Sequence, residues 1–286
     1  MEVAALLKQH HLRPKKSLGQ NFLADEHALA QIVTNADVAR DDVVLEVGPG
    51  LGSLTRHLAE AARHVIAVEI DLTLIPLLRA VVAEYPNVSI VQGDILQIDP
   101  PTLLSPYLTN ERPSYKVVAN IPYYITSAII RHLLEAAIKP RTIVLTVQLE
   151  VAQRICAQPP HMNLLAVSVQ FYGTPRVVQR IKAGAFYPSP EVDSAVVRID
   201  LPDRPPITAA GADQFFAVAK AGFGQKRKQL HNALKAGLGR SDAEIDRALV
   251  DAQITPQRRA ETLTLLEWER LAVQLSQTSP TSDPEH

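Results

Sequence analysis

Long apolar runs, a pair of cysteines and an excess of charge of either sign are all missing from this chain of 286 residues. No stretch approaches the roughly 20 uninterrupted apolar residues of a membrane helix. The N-terminus lacks an apolar signal core, so a soluble cytoplasmic protein without membrane contact is expected. The single cysteine, Cys156, excludes an intrachain disulfide framework and a cysteine-rich metal site, fits a reducing compartment, and reads as core filling. Among the nine histidines none has ligand spacing: His10 and His11 are adjacent near the terminus, and His57 and His64 read as surface or turn residues. No metal site is expected. Internal repeats are also absent.

With 29 basic against 30 acidic residues, the formal net charge is −1, so the overall basicity of many nucleic-acid binders is missing too. The local distribution differs. Between Asp213 and Asp242 there is no acid, while Lys220, Lys226, Arg227, Lys228, Lys235 and Arg240 are all basic; Arg13, Lys15 and Lys16 form a second cluster. Two such regions would suit phosphates. Solvated helix faces and loops are the alternative reading.

What is present is a regular alternation. Short β-branched runs at Val43 to Val47, Val65 to Val68, Val88 to Val91, Lys116 to Ala119 and Ile143 to Val147 are mostly separated by helical patterns, as at Leu51 to Ala62, Leu72 to Ala83 and Ser127 to Ala137. This predicts βαβ crossovers and a doubly wound, mostly parallel sheet. Arg176 to Ile181 and Ser194 to Ile199 are expected to close it as an antiparallel pair. The stretch Asp200 to Asp213, with three prolines and Gly211, reads as a linker, after which strand patterns stop. Leu230, Ala233, Leu234 and Leu238, then Leu265, Trp268, Ala272 and Leu275, fall at helical spacing. Ser241 with Glu244 is a capping-box pattern, and Thr255 before Pro256 predicts another helix start. Two domains are therefore expected: a catalytic α/β domain over residues 1–205 and a small all-α domain over 206–286, with a disordered tail from about residue 276.

Asn120-Ile121-Pro122-Tyr123 follows the run Tyr115 to Ala119. An amide, a rigid turn and an aromatic ring at the end of a buried strand suit chemistry on a planar exocyclic amine, such as that of a nucleobase. The first strand runs into Gly48-Pro49-Gly50-Leu51-Gly52, where glycines admit sharp turns and close approach of a ligand to the backbone. A dinucleotide fingerprint would need glycine at Ser53, which turns the reading from a nicotinamide oxidoreductase toward a mononucleoside cofactor. Glu69 ends the second strand, where a carboxylate can accept from ribose hydroxyls, and Asp94 follows the third, placed to accept from an adenine amino group. Singly, each acid reads as a loop charge; together they flank the expected crevice of an open sheet.

Lys15 to Leu23, the glycine loop, Glu69, Asp94, the Asn120 motif and Phe186-Tyr187-Pro188-Ser189-Pro190 together resemble the ribosomal RNA adenine N6,N6-dimethyltransferases, within them the KsgA/RsmA type acting on 16S rRNA. The likeness runs from residue 13 to about 270 and includes Phe223 to Lys228. It implies a class I, Rossmann-like fold, S-adenosylmethionine as cofactor, and dimethylation of two adjacent adenosines near the 3′ end of small-subunit rRNA in a pre-ribosomal particle, by a monomer. By motif position, the resemblance puts Asn21, Leu23, Gly48, Gly50, Glu69, Asp94 and Asn120 on the cofactor. It puts Asn120, Pro122, Tyr123 and Phe186 on the target base, and Lys226, Arg227 and Lys228 on RNA phosphates. Taken alone, Gln20 to Leu23 would read as a cap ahead of a helix, and Phe186 as loop-to-core packing. Members often have lysine where Glu191 follows Pro190, so one phosphate contact is in doubt. Two alternatives stay open: the large-subunit adenine methyltransferase of the macrolide-resistance type, and a non-catalytic assembly factor on the same fold.

Overall fold

The computed structural model describes residues 3–109, 114–203, 211–225 and 227–277. The chain divides into two compact units, one of residues 1–153 and 174–203, the other of 154–173 and 204–286. The segment 154–173, grouped by sequence with the catalytic part, thus belongs with the helical unit.

The first unit opens with α1 (Val3–Gln9), β1 (Phe22–Leu23) and α2 (Glu26–Asn35). Asp25 caps α2, its carboxylate accepting from the amides of His27 and Ala28, so Gln20 to Leu23 is not the helix cap. Then come β2 (Val43–Val47), α3 (Ser53–Ala61), β3 (His64–Glu69), α4 (Ile75–Val81), β4 (Val88–Gln92), α5 (Pro100–Leu104), β5 (Lys116–Asn120), α6 (Thr126–Glu135), β6 (Thr142–Gln148) and α7 (Leu149–Ile155). After α8 (Leu164–Tyr172), the chain returns as β7 (Thr174–Ile181), β8 (Phe186–Tyr187) and β9 (Ser194–Asp200).

Seven strands form one sheet in the order β4-β3-β2-β5-β6-β9-β7. The first five are parallel, and β9 runs antiparallel between β6 and β7. Central strands are covered on both faces, which is why β2 and β6 read as nearly unbroken apolar runs. The core formed by Leu29, Ile32, Val44, Leu58, Val65, Val118 and Val144 locks the helices carrying these residues to the sheet. Strand order reverses between β2 and β5, so the crevice beyond their carboxyl ends is the expected ligand site of an open α/β sheet. Below the other end of β5, Lys116 is 3% exposed and pairs with Asp42 at 2.9 Å, while its ammonium also donates to the carbonyls of Ala36 and Asp37. These bonds satisfy a buried charge that interrupts the apolar pattern.

β1 and β8 form a separate two-stranded ribbon, with Phe22 opposite Tyr187 and Leu23 opposite Phe186.

The helical unit adds α9 (Ala212–Phe223), α10 (Leu230–Leu238), α11 (Asp242–Asp251) and α12 (Leu265–Gln277) to α8. Phe171 of α8 lies 4.7 Å from Phe215 of α9, ring centre to centre, and both are buried with Trp268 and Leu271 of α12. The Ser241–Glu244 capping box opens α11. Thr255-Pro256 opens only a turn; α12 begins ten positions later, where Thr264 and Glu267 exchange hydrogen bonds in a capping-box arrangement. Helix α12 continues to Gln277, past the expected start of the tail; the rest of that tail and the linker residues 204–210 lie outside the described residues. Among the described residues no helix is long and apolar enough to cross a membrane.

Candidate active site

At the switch point one pocket is lined by three groups of residues: Gly19 to Leu23 of the N-terminal segment, Glu46 to Leu51 around the end of β2 except Val47, and Asn120 to Tyr123 beyond β5, with Glu69 beside them. The sheet thus brings together Asn21, Leu23, Gly48, Gly50, Glu69, Asn120, Pro122 and Tyr123 from four sequence regions.

The loop after β2 turns through Gly48, Gly50 and Gly52, all at positive φ. Gly50 has a second constraint, because a Cβ there would lie 2.9 Å from the Phe22 ring. Only glycine lets the N-terminal segment pack this closely on the loop. That segment is also fastened electrostatically. Lys15 Nζ reaches Asp71 at 2.6 Å, and Gln20 Nε2 donates to the other oxygen of Asp71 at 2.8 Å. Burial opposes charge on Asp71, but the bonds from Lys15, Thr73 and Gln20 outweigh it and hold its pKa at about 2.

Glu69 is 3% exposed, with one carboxylate oxygen accepting from Gly50 N–H at 3.0 Å and the other from Asp71 N–H at 2.7 Å. Burial raises its pKa, and these amide bonds work against the rise. Two fixed donors leave the carboxylate oriented with further acceptor capacity for hydroxyl groups.

Glu46 was not singled out from sequence. It lies inside β2 at 1% exposure, lines the same pocket, and its Oε2 has no hydrogen-bond partner. Burial, with the charge of Glu69 nearby, pushes its pKa up to about 8. Its sequence signal was an acid within an otherwise apolar strand, two positions ahead of Gly48, the first glycine of the loop.

Asn120 ends β5, and its Nδ2 donates to the Asn21 carbonyl at 3.1 Å. That bond commits the amino end of the amide and leaves Oδ1 as an acceptor. The Pro122 carbonyl receives only a long contact, 3.4 Å, from Ile125 N–H. Tyr123 is half-buried, its hydroxyl 2.7 Å from Ser194 Oγ; burial raises its pKa and the Ser194 bond opposes the rise. The ring is thereby held by its polar end while its body lines the pocket.

Two expected residues lie elsewhere. Phe186 is 4% exposed, packs in the core with Leu23 and Leu29 and does not line the pocket; strand alternation turns the neighbouring Tyr187 outward. Asp94 does not line the pocket; one of its oxygens accepts from Leu96 N–H at 3.0 Å. It still follows Gly93, whose N–H bonds the Glu69 carbonyl at 2.9 Å, so it stands beside the ribose-side acid.

In the helical unit Arg227 and Lys228 are exposed, and Lys226 lies outside the described residues. The basic stretch is less free than its composition suggests, since Lys235 pairs with Asp242 at 2.6 Å and Arg240 donates to the Leu275 carbonyl. Among the described residues no group of three or more His, Cys, Asp or Glu side chains is placed to hold a metal ion.

A ligand with a nucleoside at one end and a cationic amino acid at the other fits this donor set. Glu69 offers acceptors to ribose hydroxyls, the glycine loop offers open backbone, and the orphaned oxygen of Glu46 lacks the donor that an ammonium would supply.

Comparison with known proteins gives a consistent result. Residues 11–275 match the family described as ribosomal RNA adenine dimethylase. The ribosomal RNA small subunit methyltransferase A of Dehalococcoides mccartyi (strain CBDB1) is 45% identical over 269 residues, covering 94% of this chain and 91% of that protein. Its counterpart from Lactiplantibacillus plantarum is 42% identical over 279 residues, covering 96% and 94%. Among solved structures, the 23S rRNA methyltransferase ErmE superposes with a TM-score of 0.71 at 29% identity, over 90% of this chain and all of that one. A dimethyladenosine transferase from Plasmodium falciparum shares the fold, with a TM-score of 0.72 at 23% identity over 90% of this chain and 98% of that one.

Proposed function

The chain belongs to the ribosomal RNA adenine dimethylase family, and from that premise we propose that it converts two adjacent adenosines near the 3′ end of 16S rRNA to N6,N6-dimethyladenosine. The observation that carries this reading is Asn120, whose amide nitrogen is tied to Asn21 while its oxygen remains an acceptor beside Pro122 and Tyr123. S-adenosylmethionine, when bound, supplies an electrophilic methyl group on sulfur. Glu69 would hold its ribose, Gly48 and Gly50 its amino-acid part with Asn21 and Leu23 closing over it, and Asp94 its adenine.

The N6 lone pair of adenine is conjugated with the ring and is a poor nucleophile while the nitrogen stays planar. Asn120 Oδ1 and the Pro122 carbonyl accept the two N6 hydrogens, which favours a pyramidal nitrogen and stabilises the positive charge that develops on it. Tyr123 stacks on the base; such stacking is worth about 1–3 kcal/mol per base. No side chain needs to act as a general base, since the ammonium formed is acidic enough to give its proton to water. After one transfer N6 keeps one hydrogen, so one of the two acceptors loses its partner in the second round. The target base has to leave its stack to enter the pocket, which suits a loop of single-stranded RNA.

The substrate form is a pre-ribosomal small-subunit particle, the enzyme a cytoplasmic monomer, and the exposed Arg227 and Lys228, with Lys226, hold phosphates without reading sequence. The division of labour is a methyl-transferring unit of residues 1–153 and 174–203 and an RNA-holding helical unit of residues 154–173 and 204–286. The large-subunit reading draws on the likeness to ErmE, at 29% identity; the higher identity to small-subunit enzymes favours the first.

The test is methyl transfer from labelled S-adenosylmethionine to undermethylated small-subunit particles, with large-subunit rRNA as control and mass analysis of the product. Dimethyladenosine confined to the small-subunit 3′ region is expected. Label in the large-subunit control alone means the resistance-type activity, and particle binding without transfer means an assembly factor.

A further inference from the structure

A second surface feature lies beside the catalytic pocket and is not used by the chemistry above. Tyr187 is 43% exposed, although its neighbour Phe186 is buried in the core. Its ring lines a groove of about 450 Å³ together with Ala4, Leu7, Lys8, Arg13 and Pro14. Lys8 and Arg13 are exposed, and among the described residues they make no ion pair and no acidic side chain lines the groove. An uncovered aromatic ring flanked by two unneutralised cations is the composition of a single-stranded nucleic-acid platform, where a base stacks and its phosphates are held.

The ribbon fixes where this platform lies. Tyr187 pairs with Phe22, which itself lines the cofactor pocket, and Phe22 directly follows Asn21, the residue that holds the Asn120 amide. Paired strands are about 5 Å apart. The platform is therefore about one strand width and one residue from the N-terminal wall of the pocket, close enough for the nucleotide next to an extruded adenosine on the same strand.

We propose that Tyr187, Lys8 and Arg13 form a second nucleotide site, in which the base neighbouring the target adenosine stacks on Tyr187 and its phosphates lie between Lys8 and Arg13. The inference rests on the rRNA reading above. Because the methylated adenosines are adjacent, this site would hold one of them while the other occupies the pocket.

The test uses full-length Tyr187→Ala, Tyr187→Phe and the double variant Lys8→Ala/Arg13→Ala with undermethylated small-subunit particles, read as KM and kcat across salt concentrations. S-adenosylmethionine affinity without RNA is measured in parallel. For Tyr187→Ala the expected result is a KM raised about tenfold, the order set by loss of one base stack. Tyr187→Phe should match the wild type, because the ring and not the hydroxyl does the work. The double variant should flatten the dependence of log KM on log salt by about 1.4, roughly 0.7 for each single-strand phosphate released. Cofactor affinity should be unchanged in all three. Wild-type transfer with an unaltered Tyr187→Ala KM overturns this inference alone, as does a Tyr187→Phe variant as weak as Tyr187→Ala. A wild-type chain that transfers no methyl removes the rRNA reading and this inference with it.

Discussion

The side-chain amide of Asn120 donates to the backbone carbonyl of Asn21 over 3.1 Å, joining the end of the central strand to a segment 99 positions earlier. One amide thus does two things: its nitrogen positions the N-terminal wall of the pocket, and its oxygen remains to receive a hydrogen from the substrate.

Replacing Asn120 with alanine removes both. The expected outcome is a fall of about a hundredfold in single-turnover methyl transfer, the scale on which loss of one preorganised polar group is felt. Particle binding should persist. Complete loss of RNA binding would mean that Asn120 supports the fold of the pocket and not the chemistry.

Lys15 and Asp71 make a separate prediction about the same wall. The pair at 2.6 Å, with Gln20 on the second oxygen, holds Leu18 to Leu23 against the loop that follows β3. Lys15→Ala should weaken S-adenosylmethionine binding a few-fold, the modest size reflecting a lysine that is 41% exposed. The rate at saturating cofactor should be kept. Calorimetric titration checks the first expectation, and a kcat that falls with unchanged affinity would contradict it.

Glu46 sets a pH dependence of stability. Its carboxyl is held protonated by burial, with a pKa near 8 against 4.5 unperturbed. Between those values the unfolded chain has released a proton that the folded chain keeps, so stability falls as pH rises through that window. The loss is on the order of 3 kcal/mol by pH 7. Glu46→Gln should flatten that fall in urea unfolding series run at several pH values. A slope equal to the wild type's would mean that the carboxyl is ionised in the empty pocket.

Replacing Lys226, Arg227 and Lys228 together with alanine should weaken particle binding and flatten its salt dependence. Each phosphate contact contributes roughly 0.7 to 0.9 to the slope of log affinity against log salt. Binding assays across salt concentrations read this directly, and an unchanged slope would sink the phosphate role for this stretch.

Sequence periodicity placed the five parallel strands within a residue or two because both faces are buried and β-branched residues dominate them. The pocket was legible for a related reason: its residues stand where apolar runs stop, at Gly48, Glu69 and Asn120. The β1–β8 ribbon was not legible, since two residues per strand carry no period and their pairing spans most of the first unit. The inward turn of Phe186 depends on that ribbon, because only its register decides which of Phe186 and Tyr187 faces the core. The apolar residues of α8 gave no sign that it packs with helices beyond the linker. At α12 the Thr264–Glu267 box was present in the sequence, but Thr255-Pro256 offered an earlier signal with no apolar face behind it.

The ribbon also has a temporal consequence. Phe22 and Leu23 have no strand to pair with until Tyr187 and Phe186 exist. During synthesis the glycine loop, Glu69 and Asn120 are all made well before the partner that secures the N-terminal wall. A nascent chain therefore carries an open half-pocket while residues 121–187 are being made, and the wall gains its strand partner only when the last part of the catalytic unit has emerged from the translating ribosome.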